Sequence, residues 1–252
     1  MTAKYVYGVM RPGTLRAVKS PGVNGGKVYA LDQDDLAALV SDVPPGPLTG
    51  TKDDVLAHSR VLEEVVASAP VLPMRFGVVM DDADALRERL LDAHGDELRE
   101  LLGSLGGVVQ LRVRVLYVDD AGLREIVGEN REIAQLRESL RGKPDDATYY
   151  DRIRLGELIA QELESKRAQD GDAVLKRLEP LCVDHVRESA VHEQMVANVS
   201  MLVERARLDE VGRELEKIAL EIAPRLALRT VGPLPPYSFV ELPDASREES
   251  WA

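Results

Sequence analysis

The sequence predicts an α+β fold of two domains, and three observations carry that prediction. The first is an alternating run in which Val109, Leu111, Val113 and Val115 are interleaved with Gln110, Arg112 and Arg114, the period-two signature of a strand with one apolar face. The second is a set of apolar positions stepping by three and four. It is cleanest over Leu208, Val211, Leu215, Ile218 and Ile222, the stripe of an amphipathic helix. The third is length: 252 residues hold one large or two ordinary domains, at roughly 100–200 residues each. The boundary is read near Gly106, where Gly103, Gly106 and Gly107 close a helix. This gives an N-terminal domain over residues 1–106 and a C-terminal domain over 107–243. A charged tail, Asp244–Ala252, follows and is expected to be mobile.

In the N-terminal part, Lys4–Met10 reads as a strand with Tyr5, Tyr7 and Val9 on one face. Arg11–Gly26, rich in Gly and Pro, reads as a loop. Lys27–Leu31 and Leu36–Val43 read as a hairpin with Asp32, Asp34 and Asp35 at the turn, although Leu36–Val43 also fits the start of a helix. Pro44 to Pro47 stop that run. Thr51-Lys52-Asp53-Asp54 has the pattern of a capping box, and Val55, His58, Leu62, Val65 and Val66 continue it at helical spacing. Pro70 ends the helix. Val71–Met80 reads as two strands around Arg75-Phe76-Gly77. A second helix is predicted from Asp81 and Asp82 to about Leu102.

After the Val109 strand, residues 121–181 read as nearly all helix. Ile133, Leu136 and Leu140 form one seam, and Gly142, Pro144 and Asp145 break it. Ile153, Leu155, Leu158, Ile159 and Leu163 form a second, so the segment is an extended antiparallel helical hairpin. Val183–Val191 fits helix or strand. Met195–Val203 reads as a strand, the Leu208 helix ends before Pro224, and Leu226–Val231 and Tyr237–Leu242 read as strands. Strand, long helices, possible strand, strand, helix and strand in that order match a ferredoxin-like plan with an expanded first helical segment. The N-terminal order is a looser α+β arrangement, compatible with a variant of the same plan.

Composition narrows the function. With 44 acidic against 32 basic residues the formal net charge is −12, which disfavours binding to a phosphate backbone. The single cysteine, Cys182 in LEPLCVDHV, reads as a small apolar residue rather than a nucleophile. No basic segment leads into a long apolar stretch at the N-terminus. No run approaches the ~18 apolar residues of a membrane span. A cytoplasmic address is expected, without nucleic acid or lipid membrane among the partners.

Catalytic constellations are hard to find. His58, His94, His185 and His192 form no HExxH pair and no zinc-type spacing with cysteine, so no metal or cofactor is expected. Gly22-Val23-Asn24-Gly25-Gly26 lacks both the Walker ending and GxGxxG spacing, and reads as a flexible turn. No GxSxG elbow is present. Arg75 interrupts the apolar run Leu72-Pro73-Met74-Arg75-Phe76-Gly77. It is read either as a contact to a partner or as an arginine tethering this turn to its own domain. Arg112 and Arg114 are read as the wet face of a strand or as covered by the helical hairpin.

Four segments together resemble the gas vesicle protein L/F family: Tyr5-Val6-Tyr7-Gly8, Val71-Leu72-Pro73-Met74-Arg75-Phe76-Gly77, Asn198–Val203, and Gly232-Pro233-Leu234-Pro235-Pro236-Tyr237-Ser238-Phe239. The match runs from about residue 4 to residue 242. LPMRFG and GPLPPYSFV are its specific parts. The resemblance implies a modified ferredoxin-like first domain and a second domain with a coiled-coil-like helical pair. It implies an accessory protein, not an enzyme, that binds the apolar shell protein of the gas vesicle during nucleation and assembly, with other accessory proteins as further candidate partners. The first domain is the implied contact, and Arg75 and Phe76 are the candidate contact residues. The competing readings are a small-molecule enzyme or a ligand-sensing module on a ferredoxin-like scaffold.

Overall fold

The structure is a computed structural model that describes residues 2–45 and 50–240. The chain forms two compact units. The first comprises Met1–Leu111, Leu202–Ala206 and Gly232–Ala252, and the second Arg112–Met201 and Arg207–Val231. Residues 46–49, within or just after the Pro44–Pro47 stop, lie outside the described residues. So do 241–252, which hold the predicted tail and the last two positions of the strand predicted over Tyr237–Leu242.

The first unit is built on β1 (Ala3–Met10), β2 (Val28–Gln33) and β3 (Leu36–Val43), followed by α1 (Lys52–Val66). Then come β4 (Leu72–Pro73), β5 (Val79–Met80), α2 (Ala83–Leu86) and α3 (Gly95–Leu105). The strand order is β2-β3-β1-β4, with β5 also on β1, and every pairing is antiparallel. Leu36–Val43 is strand rather than helix. It lies between β1 and β2, and all its residues but Asp42 are buried, as a central strand requires. Gln33 pairs with Leu36 across the turn, where Asp34 takes φ 52°, a left-handed value that Asp tolerates. Thr51 caps α1 as predicted, with its side chain accepting from the Asp54 amide and the Asp54 side chain accepting from the Thr51 amide.

Two expectations for this unit fail, each for a local reason. Tyr5, Tyr7 and Val9 do not share a face. The β1–β3 register slips between Val6 and Gly8, so Tyr7 is the extra residue of a bulge and the alternation inverts after it. Val9 therefore joins Val6 in the core cluster of Leu36, Val40, Leu72, Leu90 and Leu98. The tyrosines face α1 instead. The helix predicted to Leu102 is broken by a π-turn at Arg87–Asp92 and again at His94 (φ −118°, ψ 18°). Leu86 and Leu91 are a five-residue step apart, which a π-turn places on one face, and both are buried.

The second sheet uses β6 (Val108–Tyr117), β7 (Asp184–Arg187), β8 (Met195–Glu204) and β9 (Leu226–Leu234) in the order β7-β8-β6-β9. Its helices are α4 (Ala121–Glu129), α5 (Arg131–Leu140), α6 (Tyr149–Leu178) and α7 (Leu208–Ile222), which brings the α-helices among the described residues to seven. The ambiguous Val183–Val191 segment supplies β7. The helix before Leu140 is interrupted at Asn130, which ends α4 and caps α5 by accepting from the Glu132 and Ile133 amides at 3.0 and 3.2 Å. The second face of β6 is not open to water: Gln110 is fully buried and Arg112 and Arg114 are half-buried. In the first unit, Gln110 accepts from the Ser238 amide at 3.0 Å. Tyr237–Phe239 is a 3-10 turn rather than the start of a strand. Pro235 and Pro236 have no N–H for a ladder, and the Tyr237 and Phe239 amides bond locally to the Pro235 and Pro236 carbonyls.

The second unit is tied by an ionic cluster. Arg225, just before β9, donates to both oxygens of Glu125 on α4 at 2.6 and 2.9 Å and to Asp170 on α6 at 2.5 Å. Tyr117, the last residue of β6, donates to the same Asp170 oxygen, and Lys166 lies 2.9 Å from Glu125. The Arg225 guanidinium beside Glu125 holds its carboxyl down to about 2, so this contribution is present above the ordinary carboxylate range and is lost as pH falls toward 2. Both acids are largely out of solvent, and removing the cation leaves Asp170 with only the Tyr117 hydroxyl while Glu125 keeps Lys166. Arg225→Met is expected to lower the unfolding free energy at pH 7 by about 2–3 kcal/mol in urea denaturation. A loss under about 0.5 kcal/mol would class the cluster with inert surface ion pairs.

Candidate functional site

The described residues of the first unit converge on a buried aromatic cluster centred on His58. Tyr5 and Tyr7 come from β1, His58 from α1, Phe76 and Gly77 from the turn between β4 and β5, and Tyr237 from the proline-rich segment after β9. The bulge at Tyr7 aims both tyrosines at α1, with their rings 4.9 Å apart and edge-on. The Tyr7 ring stacks on the His58 imidazole at 5.6 Å. Phe76 packs edge-on to that imidazole at 5.8 Å and tilts against Tyr5 at 6.0 Å.

The hydrogen bonds around the ring are satisfied by a neutral imidazole. The Gly77 amide donates to the Tyr5 hydroxyl at 3.2 Å, so that hydroxyl can give its own hydrogen to His58 Nδ1, 2.8 Å away. The neutral tautomer that satisfies both then carries its proton on Nε2, which faces the Tyr237 hydroxyl at 3.3 Å. Burial pushes the His58 pKa down to about 4, and burial likewise holds the Tyr5 and Tyr237 phenols above their ordinary range. His58 is only 3% exposed. The arrangement is a largely buried, neutral hydrogen-bonded network, and among the described residues no group of histidine, cysteine and carboxylate side chains is placed to hold a metal.

The glycine-rich loop is part of this cluster rather than a flexible turn. Val23 is fully buried, and its amide donates to the Tyr7 hydroxyl at 2.7 Å. The Asn24 amide donates to Asp54 at 3.2 Å, and the Thr51 hydroxyl and this amide hold the Asp54 carboxyl below its ordinary range. A Cβ on Gly22 would sit 2.3 Å from the Tyr7 hydroxyl, so the close approach requires glycine.

The two residues singled out from sequence part company here. Arg75 is exposed and has no hydrogen-bond or ion-pair partner among the described residues, so nothing described tethers it. Phe76, the next residue, turns inward onto Tyr5 and His58 and is half-buried. Sequence reasoning missed the roles of His58, Tyr7 and Tyr237. The available signal was His58 itself, which occupies a core position in the α1 stripe. Cys182 lies half-buried at the end of α6, and burial raises its thiol pKa, as expected of an unreactive residue. Among the described residues no helix is long and apolar enough to cross a membrane.

Comparison with known proteins shows where this sequence and this fold recur. The family model described as "Gas vesicle synthesis protein GvpL/GvpF" matches residues 3–241. The chain is 35% identical over 240 residues to gas vesicle protein F of Streptomyces sp. strain CB03234, covering 94% of this chain and 99% of that one. It is 24% identical to gas vesicle protein L1 of Halobacterium salinarum, covering 94% of this chain and 89% of that one. The crystal structure of GvpF from Anabaena sp. PCC7120 superposes with a TM-score of 0.82 at 23% identity, covering 96% of this chain and all of that one. That of GvpF from Microcystis aeruginosa gives 0.76 at 21%, with the same coverage.

The His58 network predicts a pH signature. The folded pKa is depressed to about 4 against an ordinary value of 6.5, so the unfolded chain takes up the proton first. Its stabilisation is complete above about pH 6.5 and is lost as pH falls toward about 4, on the order of 3 kcal/mol in all. His58→Gln removes this titration. Across that window the wild type should lose more stability than the variant in denaturant melts, and parallel curves would show that His58 does not carry it.

Proposed function

The chain belongs to the gas vesicle synthesis protein GvpL/GvpF family, and from that premise we propose that it is an accessory factor that binds the apolar shell protein and assists gas vesicle nucleation and assembly. A subunit that faces gas presents apolar surface and is prone to aggregate before it is incorporated. A binder carrying a net charge of −12 stays soluble while it covers that surface. The reaction is association by surface complementarity, with no bond made or broken, and its setting is the cytoplasm and the growing vesicle.

We place the contact in the domain read from sequence over residues 1–106, joined there by Tyr237. The observation that carries this reading is the rim of the His58 cluster. Val55, one turn before His58, is 43% exposed, Tyr237 is 39% exposed and Phe76 is half-buried, with the exposed Arg75 next in sequence to Phe76. Apolar surface held on a buried network, with a guanidinium at its edge that has no partner among the described residues, suits an apolar partner that carries a carboxylate or carbonyl. The strand orders β2-β3-β1-β4 and β7-β8-β6-β9 support a ferredoxin-like plan for the second domain. They support a modified plan for the first, in which the loop through Gly22–Gly26 stands where a helix would. The antiparallel reading of α5 and α6 as a coiled-coil-like pair belongs to the same proposal.

Arg75 and Phe76 separate binding from folding. Arg75→Glu, at an exposed position, should leave the melting temperature unchanged and weaken shell-protein binding about tenfold. Phe76→Ala should lower both, because it also removes packing from His58. Titration of the full chain with purified shell protein measures this, and an unchanged affinity in Arg75→Glu removes the contact from this rim.

A further inference from the structure

We infer that the groove between α5 and the N-terminal half of α6 docks an acid-flanked amphipathic helix of a partner protein. The groove has a volume of about 900 Å³ and lies within the second unit. Its floor includes Ala134 and Leu140 from α5 and Leu155, Gly156 and Ile159 from α6. Leu155 and Ile159 are only half-buried, although they continue the apolar stripe that is fully covered further along α6 at Val174, Leu175 and Leu178. The ten-residue α5 is too short to cover the 30-residue α6, since each residue adds about 1.5 Å of helix. Ala134 to Leu140 on one wall and Arg152 to Ile159 on the other each span about two turns, the length over which a helix presents residues at i, i+3 or i+4, and i+7.

Gly156 supplies an independent observation. A glycine inside a helix is disfavoured relative to alanine. An added Cβ here would meet nothing within 4 Å, so no contact in the described fold demands glycine. Its absent side chain leaves room for another backbone to approach.

Charge selects the occupant. The rim carries Arg137, Arg141 and Arg152 against one carboxylate, Glu138, in a chain whose net charge is −12. Arg141 lies 3.7 Å from Glu138, and Arg152 lies 2.8 Å from Asp145, but Arg137 has no hydrogen-bond or ion-pair partner among the described residues. A helix with Asp or Glu flanking its apolar face complements this rim, and a basic one is repelled. Outside the groove's lining, Tyr149 and Tyr150 at the start of α6 are 60% and 83% exposed and are of a residue type enriched in binding hot spots.

The test uses the full chain and two synthetic fluorescent helices of about 18 residues, roughly five turns. Both carry Leu at i, i+3, i+4 and i+7. One has Glu flanks and its twin has Lys flanks. The Glu peptide should bind at least about tenfold tighter than the Lys twin by fluorescence anisotropy. Gly156→Leu, whose Cβ would meet nothing within 4 Å, should melt at or above the wild-type temperature and weaken Glu-peptide binding at least about tenfold. Arg137→Glu, at an exposed and unpartnered position, should do the same to binding and carries the test if Gly156→Leu destabilises the fold. Equal or tighter binding of the Lys twin, no binding of either peptide, or undiminished binding to both variants overturns the proposal. So does a wild-type dimer in light scattering that Gly156→Leu makes monomeric, because the occupant would then be a second copy of the chain.

Discussion

A buried imidazole with no charge to offer needs a partner for each nitrogen, and that requirement organises the first unit. His58 meets it with two phenols, Tyr5 on one side and Tyr237 on the other, 53 and 179 residues away in sequence. Charging the ring would desolvate an ion and would end its role as acceptor at Nδ1, so the neutral state and the contact set depend on each other. The network therefore needs the bulge at Tyr7 that turns the tyrosines toward α1. It also needs the turn that presents Phe76 and Gly77, and the return of the segment around Tyr237. The LPMRFG and GPLPPYSFV motifs, remote in sequence, meet at this ring. Their residue types make sense as parts of one packing unit: Phe76 and Tyr237 supply rings, Gly77 supplies an amide and the prolines hold the segment.

The second unit solves a similar joining problem with charge. Arg225 gathers Glu125 and Asp170 and lies over the Tyr117 ring at 5.6 Å, so α4, α6 and the ends of two strands share one cation. A bidentate guanidinium fixes direction as well as distance, which a single lysine would not. The two centres respond oppositely to chemistry. The His58 centre works because it stays uncharged, whereas the Arg225 centre works because its members are charged and close.

These centres leave the functional surfaces comparatively free. Arg75 projects from a turn whose next residue is locked inward, so a rigid interior holds an exposed cation in place. The far part of α6 is clamped through Asp170 and Lys166, while its first half carries apolar side chains that α5 covers incompletely. Both surfaces are positioned by packing that lies elsewhere. On the proposed reading, a substitution at Phe76 would mix binding with stability, whereas Arg75, Arg137 and Gly156 would separate them.

The sequence by itself determined the two α+β halves, most strand positions, the α7 stripe and the capped start of α1, because each rests on a local pattern of period two or 3.6 or on a short-range hydrogen bond. It also determined the family, through motifs in a fixed order. It did not reveal the bulge at Tyr7, the π-turn at Arg87–Asp92 or the docking of the Gly22–Gly26 loop. A register slip is set by the neighbouring strand, a π-turn by the core into which Leu86 and Leu91 must both point, and a loop's order by what its amides find to bond. His58 looked like one more position in a helical stripe. Only the tertiary structure brought a phenol to each of its nitrogens and left Arg75 exposed, without a partner among the described residues, because those are facts about distances between segments far apart in the chain.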